Sequence, residues 1–356
     1  MIYQQLLDAI PHISTDDMSY EEWLEKRRES IGGSDAGPIM GLSGKYGSPM
    51  TVYFQKKGME VSKEMSPAAK RGKLLEPLIR DWFAQDYPTA IIERVPYMFR
   101  PTGNGLRYDR PEGGKLWRLE IPPFMSANID GLIYAKDKIV IGDRACIGLG
   151  GLEIKSSRDG YDFGVDDIPD PYYAQVQHYM AVLNLDWFIV SVAILSKEEI
   201  QGYIIPRNGE FIQGLIRAEC KFWEDHVVAD QWPAALGIEA EEDMITGMFE
   251  GGSSLVLGES ERLLCKAYLD AHAKFNAMKD EKERIATELK ASIIQRQMGK
   301  TTEKKVSAIA GQFTISWSRF PKHSVDSDAL KKDGLYEKYT KIIESGTFRI
   351  TEKKGA

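Results

Sequence analysis

Alternating apolar and polar residues predict a strand around residue 153. Leu152 and Ile154 alternate with Glu153 and Lys155, directly after two glycines. Because successive side chains of a strand point to opposite faces, Leu152 and Ile154 face a core, while Glu153 and Lys155 share the other face. Two opposite charges on one face of a strand need polar partners from neighbouring elements.

Asp130 is the predicted partner of this pair. It precedes a glycine inside the apolar run 125–134, which predicts the neighbouring antiparallel strand. The carboxylates of Asp130 and Glu153 are oxygen ligands of the kind that Mg²⁺ or Mn²⁺ takes, and Lys155 can orient or deprotonate an attacking water. This is the D…ExK arrangement of metal-dependent phosphodiesterases. For Glu153 and Lys155 alone, a surface salt bridge is the ordinary alternative.

Apolar residues at helical spacing predict two helices with further polar groups. Residues 65–85 carry Glu76 within the apolar face, and residues 172–183 carry Gln175. A glutamate beside a packed stripe is usually a boundary residue, and a lone glutamine is usually a surface residue. In combination with Asp130, Glu76 is a candidate for one more carboxylate at the metal site, and Gln175 for a hydrogen bond to the scissile phosphate.

The segment 20–36 predicts a helix followed by a glycine turn. Ser19 is placed to cap the helix, Arg27 lies near its end, and two glycines and Ser34 follow. Backbone N–H groups and the Ser34 hydroxyl at such a turn suit a phosphate, to which Arg27 or Arg28 adds a guanidinium. The alternative is a capped turn between two helices, with Ser34 as the N-cap.

Composition narrows the class of protein. The 356 residues are 43% hydrophobic and 28% charged, which suits one large domain plus an appendage. No run of eighteen apolar residues and no signal pattern at the N-terminus is present, so we expect no membrane contact and a cytoplasmic location. Three scattered cysteines argue against a disulfide framework or a zinc site. The net charge of -7 limits DNA contact to a local basic groove or a metal site.

An ordered set of segments resembles the phage lambda exonuclease-like nucleases, also called the YqaJ-type viral recombinase family, of the PD-(D/E)xK superfamily. The segments are Arg27-x6-Ser34, Gly72-Lys73-x-x-Glu76, Ile129-Asp130-Gly131-Leu132, Leu152-Glu153-Ile154-Lys155 and Ala174-Gln175-Val176-Gln177. The resemblance implies an α/β, restriction-endonuclease-like core with a central mixed sheet flanked by helices. It also implies a Mg²⁺-dependent exonuclease that digests double-stranded DNA ends from 5′ to 3′ for phage-type recombination.

The resemblance further implies partners and residue roles. It implies a homo-oligomer in the form of a trimeric ring, a single-strand annealing protein as partner, and a phage or prophage origin in a bacterial host. The implied metal ligands are Asp130, Glu153 and the carbonyl of Ile154. Lys155 resembles the water-activating lysine, Glu76 the helix-borne carboxylate and Gln175 the helical glutamine near the metal. Arg27 and Ser34 resemble the residues that bind the terminal 5′-phosphate.

The chain is predicted to divide near residue 250. Residues 1–250 form the predicted exonuclease core, and residues 251–356 form an appendage, with 251–254 as linker. The appendage is predicted to contain a long helix with apolar residues at alternating spacings of three and four, then a hairpin and a short helix. The long helix suits packing against its own chain or, alternatively, a self-associating coiled coil. Two other functions stay open: an endonuclease of the same fold, and a DNA-end-binding or assembly factor without hydrolysis.

Overall fold

A five-stranded mixed sheet lies at the centre of the first of two units. The computed structural model describes residues 1–59, 67–112, 115–164, 167–248, 255–297, 305–318, 325–334 and 336–340. The chain divides by its contacts into Met1–Glu250 and Gly251–Ala356. The predicted linker 251–254 lies outside the described residues.

Most strands of the first unit belong to two sheets. The strands are β1 (His12–Ser14), β2 (Ile31–Gly32), β3 (Ala90–Glu93), β4 (Tyr97–Phe99), β5 (Leu106–Glu112), β6 (Lys115–Ile121), β7 (Met125–Asn128), β8 (Gly131–Ile141), β9 (Arg144–Ser157), β10 (Trp187–Ile194) and β11 (Glu199–Pro206). The larger sheet has the order β11-β10-β9-β8-β3, and the smaller has the order β1-β4-β7-β2. Strands β5 and β6 pair as a separate hairpin.

The first unit also contains α-helices. They are α1 (Gln4–Ala9), α2 (Tyr20–Arg28), α3 (Gly33–Ile39), α4 (Pro49–Lys56), α5 (Pro67–Asp86), α6 (Asp170–Leu183), α7 (Gly209–Phe222) and α8 (Glu239–Gly247). Apolar residues of α5, such as Ile79, pack against the sheet in one cluster, and those of α6, such as Met180, pack in another. The predicted α/β core with a central mixed sheet flanked by helices is therefore confirmed.

Strand β9 is the central strand of the larger sheet. It pairs antiparallel with β8 and parallel with β10. The antiparallel pairing agrees with the neighbouring strand that was predicted from the apolar run 125–134. Leu152 and Ile154 pack in the cluster with α5, and Glu153 turns to the face covered by α6. Both faces of β9 are covered, so Glu153 is only 3% exposed. A charge in this position needs hydrogen-bond partners.

Asp130 lies in a bend between strands, whereas the apolar pattern predicted that it lies within one. Strand β7 ends at Asn128 and belongs to the smaller sheet, while β8 begins at Gly131 and belongs to the larger one. The chain changes sheets at Ile129 and Asp130, and this change interrupts the apolar run. A period-two pattern does not reveal such a change, because both strands have buried faces.

The second unit contains a long helix and smaller elements. These are α9 (Glu259–Gln297), the hairpin strands β12 (Lys305–Ala310) and β13 (Phe313–Ser318), and the helices α10 (Ser327–Lys332) and α11 (Tyr336–Tyr339). Two short helices replace the single one that was predicted, and between them Gly334 has a φ of 68°. That left-handed conformation ends a helix and favours glycine.

Two further features bear on the class of protein. No helix in the described ranges is both long and apolar enough to cross a membrane. The cysteines Cys146, Cys220 and Cys265 are free thiols.

The glycines before Leu152 generate a test of the packing between β9 and β10. A Cβ atom on Gly151 would lie 2.1 Å from the ring of Phe188, its partner on β10. We therefore expect Gly151→Ala to lower the free energy of unfolding by about 1–3 kcal/mol through overpacking, measured by urea denaturation. The double variant Gly151→Ala/Phe188→Leu should recover part of this loss, because the smaller side chain leaves room.

Gly72→Ala is the matched control for this substitution. Gly72 lies within α5, and a Cβ atom there meets nothing within 4 Å. Alanine has the higher helix propensity, so this variant should be as stable as the parent or more stable, by up to about 1 kcal/mol. Equal stability of Gly151→Ala and the parent would contradict the packing described here.

Candidate active site

A carboxylate, an ammonium and an amide meet on the face of β9 that α6 covers. Lys155 Nζ donates a hydrogen bond to Glu153 Oε1 at 2.5 Å, and Gln175 Nε2 donates to the same oxygen at 2.7 Å. Lys155 Nζ also donates to Gln175 Oε1 at 3.2 Å. The alternation along β9 aims both charged side chains at α6, and helical spacing aims Gln175 back at them. The structure thus brings these three predicted site residues together.

Asp130 joins this group from the bend before β8. Its Oδ2 accepts a hydrogen bond from the backbone N–H of Ile154 at 2.8 Å. That contact fixes the aspartate beside the Glu153–Lys155 strand even though Asp130 is not part of the ladder. Ile154 contacts Asp130 through its backbone N–H. The role of the Ile154 carbonyl as a metal ligand stays a prediction.

Glu76 reaches the same region from α5. Its carboxylate is close enough to Asp130 for their charges to interact, and Arg80, one turn later, donates to Glu76 Oε1 at 2.6 Å. The salt bridge with Arg80 holds Glu76 at the margin of the group. Within the residues that the structure describes, no three His, Cys, Asp or Glu side chains form a cluster that could hold a metal ion. The candidate acidic metal ligands are therefore Asp130 and Glu153, and Glu76 lies at the margin of this group.

Burial and mutual repulsion dominate the electrostatics of the carboxylates. Burial raises the pKa of Glu153, Asp130 raises it further, and the resulting pKa is about 7 despite the nearby Lys155. The pKa values of Asp130 and Glu76 are raised as well, chiefly by burial. Burial lowers the pKa of Lys155, but Glu153 and Asp130 outweigh it and raise the pKa overall. Burial and the neighbouring carboxylates thus disfavour the charged forms of these three acids.

Arg27 and Ser34 lie together at a second group of polar side chains. One guanidinium nitrogen of Arg27 donates to Ser34 Oγ and to Asp35 Oδ1, both at 2.8 Å. Helix α2 presents Arg27 after a capping box formed by Ser19 and Glu22, and α3 begins at the glycine turn before Ser34. The predicted pair is therefore in direct contact.

Asp35 and Lys56 complete this second group, and the sequence alone assigned a role to neither. Asp35 Oδ2 accepts from Lys56 Nζ at 2.6 Å and from the Gly32 N–H at 2.9 Å, and Lys56 Nζ also donates to the carbonyl of Arg27 at 2.9 Å. Burial alone would raise the pKa of Asp35, but Lys56 and Arg27 lower it to about 2. The available signals were an acid directly after Ser34 and a lysine at the end of the mostly apolar helix α4.

Aromatic side chains hold both groups in place. The guanidinium of Arg27 lies over the ring of Trp23, 4.9 Å from its centre, and Lys155 Nζ lies 4.7 Å from the centre of Tyr172. The Tyr179 hydroxyl accepts from Gln175 Nε2 at 3.1 Å, while its ring lies against Gly33, where a Cβ atom would approach to 2.5 Å. Tyr179 therefore connects the glycine turn to the Glu153 group. The sequence showed these aromatic residues but not their contacts.

One cavity joins the two groups. It has a volume of about 610 Å³, and its wall includes Arg27 and Lys56 at the second group and Glu76, Asp130 and Lys155 at the first. The cavity is large enough to hold a phosphate group beside the second group and a metal ion beside the first.

Comparisons with known proteins agree with the resemblance. Residues 22–186 match the family model of the YqaJ-like viral recombinase domain. The uncharacterized protein YqaJ of Bacillus subtilis (strain 168) is 26% identical over 343 residues, which are 94% of this chain and 95% of that protein.

Solved structures with some similarity include two exonucleases. The alkaline exonuclease LHK-Exo of Laribacter hongkongensis matches 59% of this chain and 93% of its own, at 19% identity and a TM-score of 0.39. A phage-related exonuclease from Haemophilus somnus 129PT matches 57% of this chain and 96% of its own, at 14% identity and a TM-score of 0.32.

The family match contains both groups of polar residues, from Arg27 to Gln175. Residues 22–186 are similar to the YqaJ-like viral recombinase domain, and this match confirms the resemblance seen in the sequence.

Proposed function

We propose that this protein is a metal-dependent deoxyribonuclease that digests double-stranded DNA ends as an exonuclease, from 5′ to 3′, for recombination by single-strand annealing. The observation that carries the proposal is the shared cavity, whose wall includes Arg27 at one group and Glu76, Asp130 and Lys155 at the other. Ser34 and Glu153 lie directly behind this wall, hydrogen-bonded to Arg27 and Lys155. A phosphate anchor and a hydrolytic centre in one cavity suit an enzyme that starts at a DNA end. The family description and the titles of the exonuclease structures agree with this reaction.

The donor set fits Mg²⁺ or Mn²⁺. Asp130 and Glu153 offer carboxylate oxygens whose pKa values are raised chiefly by burial, and a bound cation would favour their charged forms. Mg²⁺ is usually held by one or two carboxylates together with substrate phosphates, so a full protein cage is not needed. Asp130, Glu153 and the carbonyl of Ile154 would hold the ion. When bound, it would polarise the scissile phosphate and stabilise the negative charge that develops there.

The chain's own side chains supply the rest of the chemistry. Lys155 donates hydrogen bonds from a fixed position and would orient the attacking water or stabilise negative charge on the phosphate. Gln175 holds both Lys155 and Glu153 and would keep them aligned as the substrate enters. Glu76 lies at the margin of the site, and its carboxylate would attract the metal ion electrostatically.

At the second group, Arg27 and Ser34 would bind the terminal 5′-phosphate. Both of their polar groups suit phosphate oxygens. Asp35 keeps the Arg27 guanidinium in place and is itself neutralised by Lys56. It therefore acts as a positioning residue that does not touch the phosphate.

The resemblance to the family supports a proposal for the wider setting. We propose a homo-oligomer, in the form of a trimeric ring that encloses duplex DNA, and a single-strand annealing protein as partner. We place the protein in the cytoplasm of a bacterial host, as a phage or prophage product.

Loss of Lys155 tests the hydrolytic centre. We expect Lys155→Ala to lower the rate of nucleotide release from linear duplex DNA in Mg²⁺ by at least about a hundredfold, because the only ammonium bonded to Glu153 among the described residues is removed. DNA binding should change far less. The exposed Lys138 provides the control, since Lys138→Ala should digest DNA at the parent rate. Unchanged digestion by Lys155→Ala, or no metal-dependent digestion by the parent, would favour a non-hydrolytic DNA-end-binding or assembly factor.

A second experiment tests the phosphate anchor with linear duplexes that carry or lack a 5′-phosphate. The parent should digest the phosphorylated duplex faster, and Arg27→Ala should lose this preference because the guanidinium is gone. Asp35→Asn should reduce the preference by about three- to thirtyfold, since the guanidinium keeps its charge but loses its ionic partner. Lys26→Ala, one residue earlier on an exposed position of α2, should keep it. Equal parent rates on both duplexes would remove the anchor assignment while leaving the hydrolytic centre intact.

Covalently closed circular DNA separates an exonuclease from an endonuclease. An enzyme that needs an end must leave the circle intact while it degrades the same DNA after linearisation. We expect this result in Mg²⁺ over a digestion time that consumes the linear form completely. Nicking or cutting of the circle that Lys155→Ala abolishes would assign the site to an endonuclease of the same fold.

A further inference from the structure

Helix α9 carries a continuous apolar seam on its surface. From Leu264 to Leu289 the seam positions alternate in steps of four and three residues, and Lys282 is the charged residue among them. Leu264, Phe275 and Met278 are 69%, 64% and 74% exposed. Most apolar residues in a stable helix face a core, so such exposure calls for a partner surface.

The repeat of the seam specifies the kind of partner. Steps of four and three average 3.5 residues, the repeat by which two helices pack side by side over many turns. The seam continues over about 38 Å of helix at 1.5 Å per residue, which matches a second long helix better than a sheet or a loop. A second copy of α9 is a helix of the same length and repeat.

We propose that the seam of α9 binds the seam of a second copy of this chain, with the two helices antiparallel. In this arrangement each seam position faces a different position of the second copy. The outer layers join Leu264 with Leu289 and Tyr268 with Ile285. The inner layers join Phe275 with Met278 and Ala271 with Lys282. Each layer occurs twice because of the two-fold symmetry.

The layer that contains Lys282 favours the antiparallel orientation. There the long side chain of Lys282 crosses the small Ala271, so its methylenes can pack while the ammonium reaches solvent. In a parallel pair, Lys282 would face Lys282 of the second copy inside the seam, which places two like charges together. The sequence thus disfavours the parallel pair at the position where the two orientations differ most.

Charges beside the seam favour the same orientation. The antiparallel register places Lys274 next to Glu281 of the second copy, and symmetry repeats this contact. A parallel pair would place Lys274 next to Lys279 of the second copy, where the charges repel. Glu281 also has an ion pair with Arg284 of its own helix, and a second cation can share this carboxylate.

The mass of the full chain in solution tests the pairing. Light scattering of the parent should give twice the mass of Phe275→Glu, because the variant places a charge in both central layers. Phe275 is largely exposed within one chain, so the substitution should leave the circular dichroism of the folded protein unchanged. The factor of two is expected whatever assembly the first unit forms, and the test does not depend on hydrolysis.

A charge exchange tests the register. Lys274→Glu and Glu281→Lys should each weaken self-association by about tenfold, since each converts two attractive contacts into repulsive ones. The double variant Lys274→Glu/Glu281→Lys restores opposite charges and should associate as tightly as the parent. Failure of the double variant to recover would overturn this register.

Cysteine cross-linking tests the orientation, in a Cys265→Ser background. Oxidation of a mixture of Ala271→Cys and Lys282→Cys should give a linked pair, whereas each variant alone should not. In a parallel pair each variant would link to itself, and that result would overturn the proposal. An equal mass for the parent and Phe275→Glu would also overturn it, and would leave the seam for a different protein, such as the annealing partner.

Discussion

The burial of Glu153 in the central strand, beside the partly exposed Lys155, is the constraint on which the rest of the site depends. Charges inside a covered sheet are costly unless every polar atom finds a partner. Gln175 bonds to both side chains, and the Ile154 amide between them bonds to Asp130. Strand β9 can therefore occupy the centre of the sheet only with α6 and the bend before β8 in their observed places. The fold and the candidate site are two consequences of the same contacts.

Helix α6 transmits this constraint to the second group of polar residues. His178 Nε2 donates to the carbonyl of Ser126 on β7, and its Nδ1 lies 2.9 Å from Glu219 on α7, which fixes the rotation of α6. With that rotation, Gln175 faces Glu153, and Tyr179 lies between Gln175 and Gly33. A side chain at residue 33 would displace Tyr179. The glycine turn beside Ser34 is thus needed for packing, apart from the phosphate binding proposed for it.

Local patterns predicted those parts of the molecule that depend on local sequence. The alternation at Leu152–Lys155 and the helical spacing around Glu76 and Gln175 gave the correct elements, because burial of one face governs them directly. The bend at Asp130 was missed because it results from a change of sheet, which depends on strands far away in the chain. The Asp35–Lys56 pair was missed for a similar reason, since 21 residues separate two charges that meet only after α3 and α4 pack.

Local charge also reconciles the acidic chain with the polyanionic substrate that we propose for it. The chain has a net charge of -7, yet the cavity wall contains Arg27, Arg28, Lys56, Lys73, Arg94 and Lys155 against Glu76 and Asp130. The field inside a cavity follows the nearby charges, since salt screens distant ones beyond roughly 8 Å at physiological ionic strength. Asp35 forms ion pairs with both Arg27 and Lys56. Its negative charge reduces the repulsion between these two cations in the cavity wall. The excess of cations in the cavity wall therefore suits the proposed DNA substrate, although the chain as a whole is acidic.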